Sequence, residues 1–121
     1  MRSENQIVDL SFQFSVRIVN LYKYLTKTHS EYILSKQVLR SGTSIGANVT
    51  EAQDAQSKKD FISKLSIALK EARETHYWLR LLVETEYLPK ENRRVISVFE
   101  ELEVLIKLLV AIVKSTKSSL V

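Results

Sequence analysis

The chain contains no cysteine. Without a thiol it can form no disulfide, no thiolate metal site and no cysteine nucleophile. Disulfides are rare in the reducing cytoplasm, so their absence is compatible with that compartment. We therefore expect a cytoplasmic protein.

Turn-forming residues are scarce as well. Proline occurs once, at Pro89, and glycine twice, at Gly42 and Gly46, in 121 residues. An all-β fold needs a turn signal roughly every ten residues. The sequence therefore predicts an all-α fold, and its length suits a single domain over residues 1–121.

Long apolar runs are also missing. The most apolar stretch, residues 104–113, is interrupted by Lys107, whereas a membrane helix needs about 20 apolar residues. The first residues carry Arg2, Glu4 and Asp9 ahead of any apolar run, which is unlike a signal peptide. We expect no membrane partner and no export by such a signal.

The spacing of apolar residues predicts four long helices. These residues recur three or four positions apart, which is the period of one helical face. The predicted helices cover residues 4–27, 31–56, 58–86 and 89–114, and the Ser-rich residues 115–121 are expected to be a mobile tail. Because the breaks are short, neighbouring helices must alternate in direction, which predicts a left-handed up-down-up-down four-helix bundle.

Three local signals place the helix starts. Thr28 followed by Glu31, and Ser57 followed by Asp60, have the spacing of a capping box, in which a hydroxyl and a carboxylate accept backbone N–H groups. Pro89 has a fixed φ and no N–H, which suits the first turn of a helix. These signals predict the starts of the second, third and fourth helices.

The third predicted helix has the clearest core seam. Its members repeat every three or four residues: Phe61, Leu65, Ala68, Ala72, Thr75, Leu79 and Leu82. Such a seam is typical of antiparallel bundle packing. Trp78 lies beside this seam and fits either the edge of the core or an interface anchor.

The second predicted helix contains a run of small residues around two glycines. Gly42 and Gly46 lie one turn apart on the same face, and each costs about 1 kcal/mol of helix stability relative to alanine. Close approach of a neighbouring helix would offset that cost. A phosphate-binding loop is the alternative, but its Gly-rich and Walker patterns are absent. Asn48, on the core side, is expected to hydrogen-bond across the bundle.

Sequence motifs for catalysis or metal binding are missing. Carboxylate bundles that bind metal carry Glu-x-x-His, but the residues three before His29 and His76 are a threonine and an arginine. Glu71 and Glu74 share a face and are interpreted as exposed ion-pairing groups. We assign no catalytic residue, metal or cofactor, and expect the protein not to be an enzyme.

The fourth predicted helix has more apolar surface than a bundle core needs. Its core stripe is Val98, Leu102, Leu105, Leu109 and Ile112. The predicted interface residues flank that stripe: Phe99, Val104, Ile106, Leu108, Val110 and Val113. A helix that is apolar nearly all round is buried on more than one side. A bundle of four helices has no central helix that the other helices surround, so they cannot bury these flanks. The flanks therefore predict a homo-oligomer.

One end of the predicted bundle is rich in positive charge. The topology places six basic residues there: Arg2, Lys58, Lys59, Lys64, Lys114 and Lys117. Three carboxylates oppose them: Glu4, Asp54 and Asp60. Repeated around an oligomer, this end could bind the phosphates of RNA or DNA without sequence specificity. The alternative is a solvated surface, and no aromatic residues are interleaved for base stacking.

Three segments carry a family resemblance: residues 37–53, 57–62 and 68–75. Their recognisable members are Arg40, Ser44, Ile45, Ala47, Asn48, Glu51, Ser57 and Phe61. The chain resembles the bacterial four-helix bundle proteins whose genes occur in intervening sequences of 23S ribosomal RNA. The resemblance implies a non-enzymatic bundle that assembles as a ring of five. Relatives include an accessory protein of diversity-generating retroelements, which works with a reverse transcriptase and nucleic acid.

Together these features predict an oligomeric binding or scaffold module, with RNA or DNA as its ligand. The net charge of +4 is compatible with an acidic partner without requiring one. The alternative is a protein–protein adaptor with no nucleic-acid role. Binding that weakens steeply with salt would favour the first function over the second.

Overall fold

The computed structural model of the chain describes the backbone of residues 2–120 and the side chains of residues 6–120. Residues 2–120 form four α-helices and no strand: α1 Arg2–His29, α2 Leu34–Ala52, α3 Lys58–Glu84 and α4 Arg93–Ser118. None of these helices is long and apolar enough to cross a membrane.

The four helices pack around one shared core. Each contacts two neighbours, in the order α1, α2, α3, α4 and back to α1, and over the described residues the diagonal pairs bring no Cα atoms within 8 Å. The α4 core stripe is buried, as is the α3 seam apart from half-buried Phe61. The all-α four-helix bundle is thus confirmed, while its left-handedness stays a prediction.

The two glycines lie where α2 packs against α1. A Cβ atom on Gly42 would be 2.9 Å from Cγ1 and Cγ2 of Ile18. On Gly46 it would be 3.0 Å from Ser15 Oγ and 3.1 Å from the Ser11 carbonyl oxygen. A side chain at either position would therefore force the neighbouring atoms of α1 to shift. The predicted close helix approach is confirmed.

The predicted start of the second helix is wrong. Thr28 lies inside α1, which continues to His29, and α2 begins at Leu34. Ser30, with φ of 51°, turns the chain between the two helices. Thr28 therefore caps no helix, because the chain has not yet left α1 at that position.

Glu31 provides the cap instead. Its Oε2 accepts hydrogen bonds from the backbone N–H groups of Leu34 at 2.9 Å and Ile33 at 3.2 Å, and its Oε1 accepts from Ser35 at 2.7 Å. Ile33, at the N-cap position, has no side-chain acceptor for these orphan donors. A carboxylate near a helix N-terminus also interacts favourably with the helix dipole.

The predicted Ser57 hydroxyl cap at the start of α3 is confirmed, whereas the Asp60 carboxylate bonds the residue before the cap. Ser57 Oγ accepts a hydrogen bond from the backbone N–H of Asp60 at 3.1 Å, and Asp60 Oδ2 accepts one from Gln56 at 3.3 Å. The preceding helix ends at Ala52, four residues before the predicted 56. Residues 53–55 instead make backbone bonds to carbonyls three positions back, so the chain tightens into a turn.

Both predicted bounds of the fourth helix need correction. Asn92 Oδ1 accepts from the N–H groups of Arg94 at 2.8 Å and Val95 at 3.3 Å, so α4 begins at Arg93 and not at Pro89. Asparagine is among the strongest N-cap residues, whereas proline only fits a first turn. At the other end α4 continues to Ser118, so residues 115–118, which were predicted to belong to a tail, are helical.

Glu86 holds an unfavourable backbone conformation after α3. Its φ is 69°, in the left-handed region. The N–H of Tyr87 donates to the Leu82 carbonyl at 2.9 Å, and that of Glu86 to the Val83 carbonyl at 3.0 Å. This is the Schellman arrangement, in which glycine is preferred at the left-handed position.

Replacing Glu86 with glycine should therefore stabilise the protein by roughly 0.5 to 1 kcal/mol. Glu84→Gly is the matched control, because Glu84 is the last helical residue of α3 and glycine should destabilise the protein there. Urea unfolding of both variants measures the difference. Equal destabilisation would show that residue 86 has no left-handed strain to relieve.

Candidate functional site

The described side chains hold no cluster suited to a metal ion. Among them no group of three or more histidine, aspartate or glutamate residues lies close enough to share one. Within the same range, every buried side-chain nitrogen or oxygen has a hydrogen-bond partner. The candidate sites are therefore surfaces of the bundle.

Four of the predicted phosphate-binding lysines are exposed at one end of the bundle. Lys58 and Lys59 form the first turn of α3, while Lys114 and Lys117 lie in the last two turns of α4. The antiparallel order of α3 and α4 brings these turns to the same end. The Arg2 side chain lies outside the described residues. We call Lys58, Lys59, Lys114 and Lys117 the basic end.

Lys64 differs from these four because it is engaged in an ion pair. Its Nζ lies 3.1 Å from Glu51 Oε1 on α2. Of the predicted opposing carboxylates, Asp54 is exposed, whereas Asp60 is occupied in capping α3. Glu4 is outside the range of described side chains. The four exposed lysines thus lie at the same end as the two carboxylates Asp54 and Asp60, while the charge of Lys64 is balanced by Glu51.

The single chain covers much of the predicted α4 interface. Val113 is buried in the core, and Phe99, Ile106 and Leu108 are half-buried against it. Phe99 packs edge-to-face against His76 of α3, with ring centroids 5.5 Å apart. An α4 flank thus serves to pack on a neighbouring helix of the same chain. Its role between copies stays a prediction.

Apolar side chains on α1 and on the other flank of α4 are more exposed than those that pack against the core. On α4, Val104 is 48% and Val110 40% exposed. On α1, Phe12 is 68% exposed, and Val16 and Val19 follow it on the same face. Sequence reasoning missed these three, although their spacing of four and three is itself a helical period. We call Phe12, Val16 and Val19 the α1 ridge.

The hydrogen bond between side chains of different helices in the core is made by residues other than the predicted Asn48. Asn48 donates to the Ser44 carbonyl of its own helix at 2.9 Å, so the prediction of a cross-bundle bond is wrong. Thr75 on α3 instead donates to Ser41 Oγ on α2, also at 2.9 Å, in the buried interior. Ser41 in turn donates to a carbonyl of α2. These hydroxyls fix α2 against α3.

Arg40 links α2 to two glutamates of α3. Its Nη1 lies 3.3 Å from Glu71 Oε1, and its Nη2 contacts Glu74. Glu74 also accepts a hydrogen bond from Trp78 Nε1 at 3.1 Å. This bond lowers the pKa of the Glu74 carboxyl, and the contact with Arg40 lowers it further. Together they outweigh burial, which by itself would raise that pKa. The two glutamates are ion-pairing groups as predicted, but they are half-buried and pair with the neighbouring helix.

The fold defines the class as a small all-α four-helix bundle. The sequence profile described as 23S rRNA-intervening sequence protein matches residues 3–111. The chain belongs to that family, and the predicted resemblance is confirmed. A comparison with curated proteins gives no match.

A solved structure supports the same assignment. A crystal structure of a protein with unknown function from the S23 ribosomal protein family of Bacteroides thetaiotaomicron is 54% identical in sequence. The alignment covers 93% of this chain and 98% of that one, with a TM-score of 0.89. Neither the description of the family nor that of the solved structure names an enzymatic activity.

Proposed function

We propose that the protein is a non-enzymatic, homo-oligomeric four-helix bundle that acts as a binding module or scaffold for RNA or DNA. The basic end carries this proposal, because it places four exposed lysines on one surface. Lysine side chains bind phosphate groups as flexible point charges. Contacts to the phosphate backbone give affinity without reading the base sequence.

Assembly would multiply this surface. We place the oligomer at five copies, the number that the family resemblance implies. In a ring of parallel bundles every basic end lies on the same face, and the summed potential attracts a polyanion more strongly than one copy can. The ring therefore turns a mild local charge into an extended phosphate-binding surface.

A protein–protein adaptor is the second candidate function. The α1 ridge favours it, since exposed contiguous apolar side chains mark many protein contact sites. An adaptor of this kind would bind through apolar contacts, which depend little on salt. Binding through phosphates weakens by about 10³-fold or more between about 50 and 200 mM salt when several contacts are made.

Fluorescence anisotropy with labelled RNA and DNA oligonucleotides tests the proposal. The test variant replaces all four lysines of the basic end with glutamate, leaving ion-paired Lys64 in place. The control variant makes the same change at four lysines elsewhere: Lys36, Lys70, Lys90 and Lys107. Each variant loses eight charge units from +4, so both have a net charge of 4 − 8 = −4.

We expect the parent to bind at low salt and to lose affinity as salt rises. The basic-end variant should bind at least about tenfold more weakly than the control variant, because net charge is equal and only its location differs. Circular dichroism checks that both variants remain helical. A parent that binds no nucleic acid at low salt, or equal binding by both variants, would refute the nucleic-acid function.

A further inference from the structure

The outward face of α3 carries an aromatic ring between two arginines. Tyr77 is 56% exposed, and Arg73 and Arg80, four residues before it and three after it, are exposed on the same helical face. The two arginines are about 10 Å apart along the helix axis. Neither of them pairs with a carboxylate among the described side chains. We call Arg73, Tyr77 and Arg80 the α3 platform.

The Tyr77 ring is held in place by a chain of contacts. It packs edge-to-face with Trp78, with ring centroids 5.1 Å apart and ring planes at 73°. Trp78 Nε1 donates to Glu74 at 3.1 Å, and Glu74 contacts Arg40 of α2. An edge-to-face contact covers at most one face of a ring, so Trp78 leaves the other face of Tyr77 free. A ring that is already fixed loses little further freedom when a flat group stacks on it.

The carboxylates of α3 near the platform are already paired. Between residues 61 and 83 the acidic residues are Glu71 and Glu74, and both pair with Arg40. Glu84, the last residue of α3, ends this stretch. The charge that this part of α3 presents to a ligand is therefore positive, which favours an anionic partner.

The platform lies on the same helical face as part of the basic end. Lys59 and Tyr77 are separated by about five full turns of α3, so they point in the same direction and lie about 27 Å apart along the axis. A flexible polyanion that is bound at the basic end could thus continue along α3 to the platform.

A positive surface with an open aromatic face has the composition of a single-strand binding site. Unpaired bases stack on aromatic rings, and arginines bind the backbone or stack on the bases themselves. Each nucleotide inside a strand has a phosphate on both sides, and an arginine lies on each side of Tyr77. The bases of a duplex are stacked on one another and cannot reach such a ring. The α3 platform therefore suits a single strand better than a duplex.

We propose that the α3 platform binds single-stranded nucleic acid by stacking an unpaired base on Tyr77, with Arg73 and Arg80 at the neighbouring phosphates. The basic end consists of lysines alone and attracts any polyanion. The platform adds affinity only for strands that offer an unpaired base. This inference rests on the proposed nucleic-acid function and names the form of nucleic acid that the protein prefers.

Fluorescence anisotropy at low salt tests the stacking with three labelled probes of equal length. They are a single strand, with oligo(U) and oligo(dT) as the RNA and DNA arms, the same backbone without bases, and a duplex. Tyr77→Ala should weaken binding of the single strand at least about fivefold, the scale of one stacked base. Its binding of the abasic strand and of the duplex should not change. Tyr77→Phe keeps the ring and should bind like the parent.

Tyr32→Ala is the matched control. Tyr32 is 54% exposed, but it lies in the loop between α1 and α2 and not on α3. This variant should bind all three probes like the parent. Circular dichroism should show that the Tyr77 variants remain helical, because Tyr77 is exposed and alanine is a good helix former.

Trp78 gives a second, independent measurement, because it is the one tryptophan of the chain. A base stacked on Tyr77 lies next to Trp78, so the single strand should change the Trp78 fluorescence of the parent, whereas the abasic strand should not. A parent that binds none of the probes would overturn both the nucleic-acid function and this inference. A parent that binds them, with no response of Trp78 and no effect of Tyr77→Ala, would overturn the stacking site alone and leave Tyr77 as an anchor for a protein partner.

Discussion

Replacing Gly46 with leucine is expected to lower the free energy of unfolding by about 1 to 3 kcal/mol, the usual cost of overpacking. A Cβ atom at this position would already lie 3.1 Å from the Ser11 carbonyl oxygen. That oxygen belongs to the α1 backbone, so it cannot swing aside as a side chain could. Chemical denaturation should show a lower midpoint.

Ala47→Leu is the matched control for this change. Ala47 is the next residue of α2 and is exposed, and leucine and alanine are both good helix formers. The free energy of unfolding of this control should change by less than about 0.5 kcal/mol, as is usual for surface changes. If Gly46→Leu also left the midpoint unchanged, α1 and α2 would not pack as closely as described.

Replacing Glu31 with alanine is expected to cost about 1 to 2 kcal/mol at neutral pH, because it removes the cap of α2. The carboxylate accepts three backbone hydrogen bonds and is itself buried. Burial alone would raise the pKa of Glu31, but the bonds from Leu34, Ser35 and Ile33 outweigh it, so the pKa lies below its ordinary value of 4.5.

The stability that Glu31 contributes should therefore depend on pH. A carboxyl group whose pKa is lower in the folded state stabilises that state above its unfolded pKa, and the stabilisation is lost as pH falls through the folded value. Urea unfolding at pH 7 and well below pH 4.5 measures the effect. The difference between the parent and Glu31→Gln, which keeps the shape and removes the charge, should shrink in acid.

Glu103→Gln is the control for this experiment, since Glu103 is exposed on α4. Its effect on stability should be small at both pH values. A difference between parent and Glu31→Gln that is the same in acid and at neutral pH would contradict the capping role of the Glu31 charge.

Much of the fold could be predicted because the signals are local. The period of apolar residues along α3 and α4 marks the face that must leave water, and that face is the one buried. Ser57 and Asp60 cap α3 through atoms only three residues apart. The pair of glycines indicated a close contact, since two mid-helix glycines need a compensating interaction.

Helix starts were harder to predict because several side chains compete for the same orphan N–H groups. Thr28 and Pro89 both carry a plausible start signal, yet Glu31 and Asn92 make the actual hydrogen bonds. The position at which the chain leaves one helix decides which candidate is near the donors. That position depends on how the two helices pack, which a local pattern does not contain.

By itself, the sequence determined the helical class, the buried faces, the absence of thiol chemistry and the family. Only the tertiary structure decided which surfaces remain for binding. It pairs Lys64 with Glu51, covers Phe99 with His76 and leaves Phe12 exposed. The physical reason is that a helical period shows which residues share a face, whereas exposure and ion pairing depend on what the neighbouring helix places against that face.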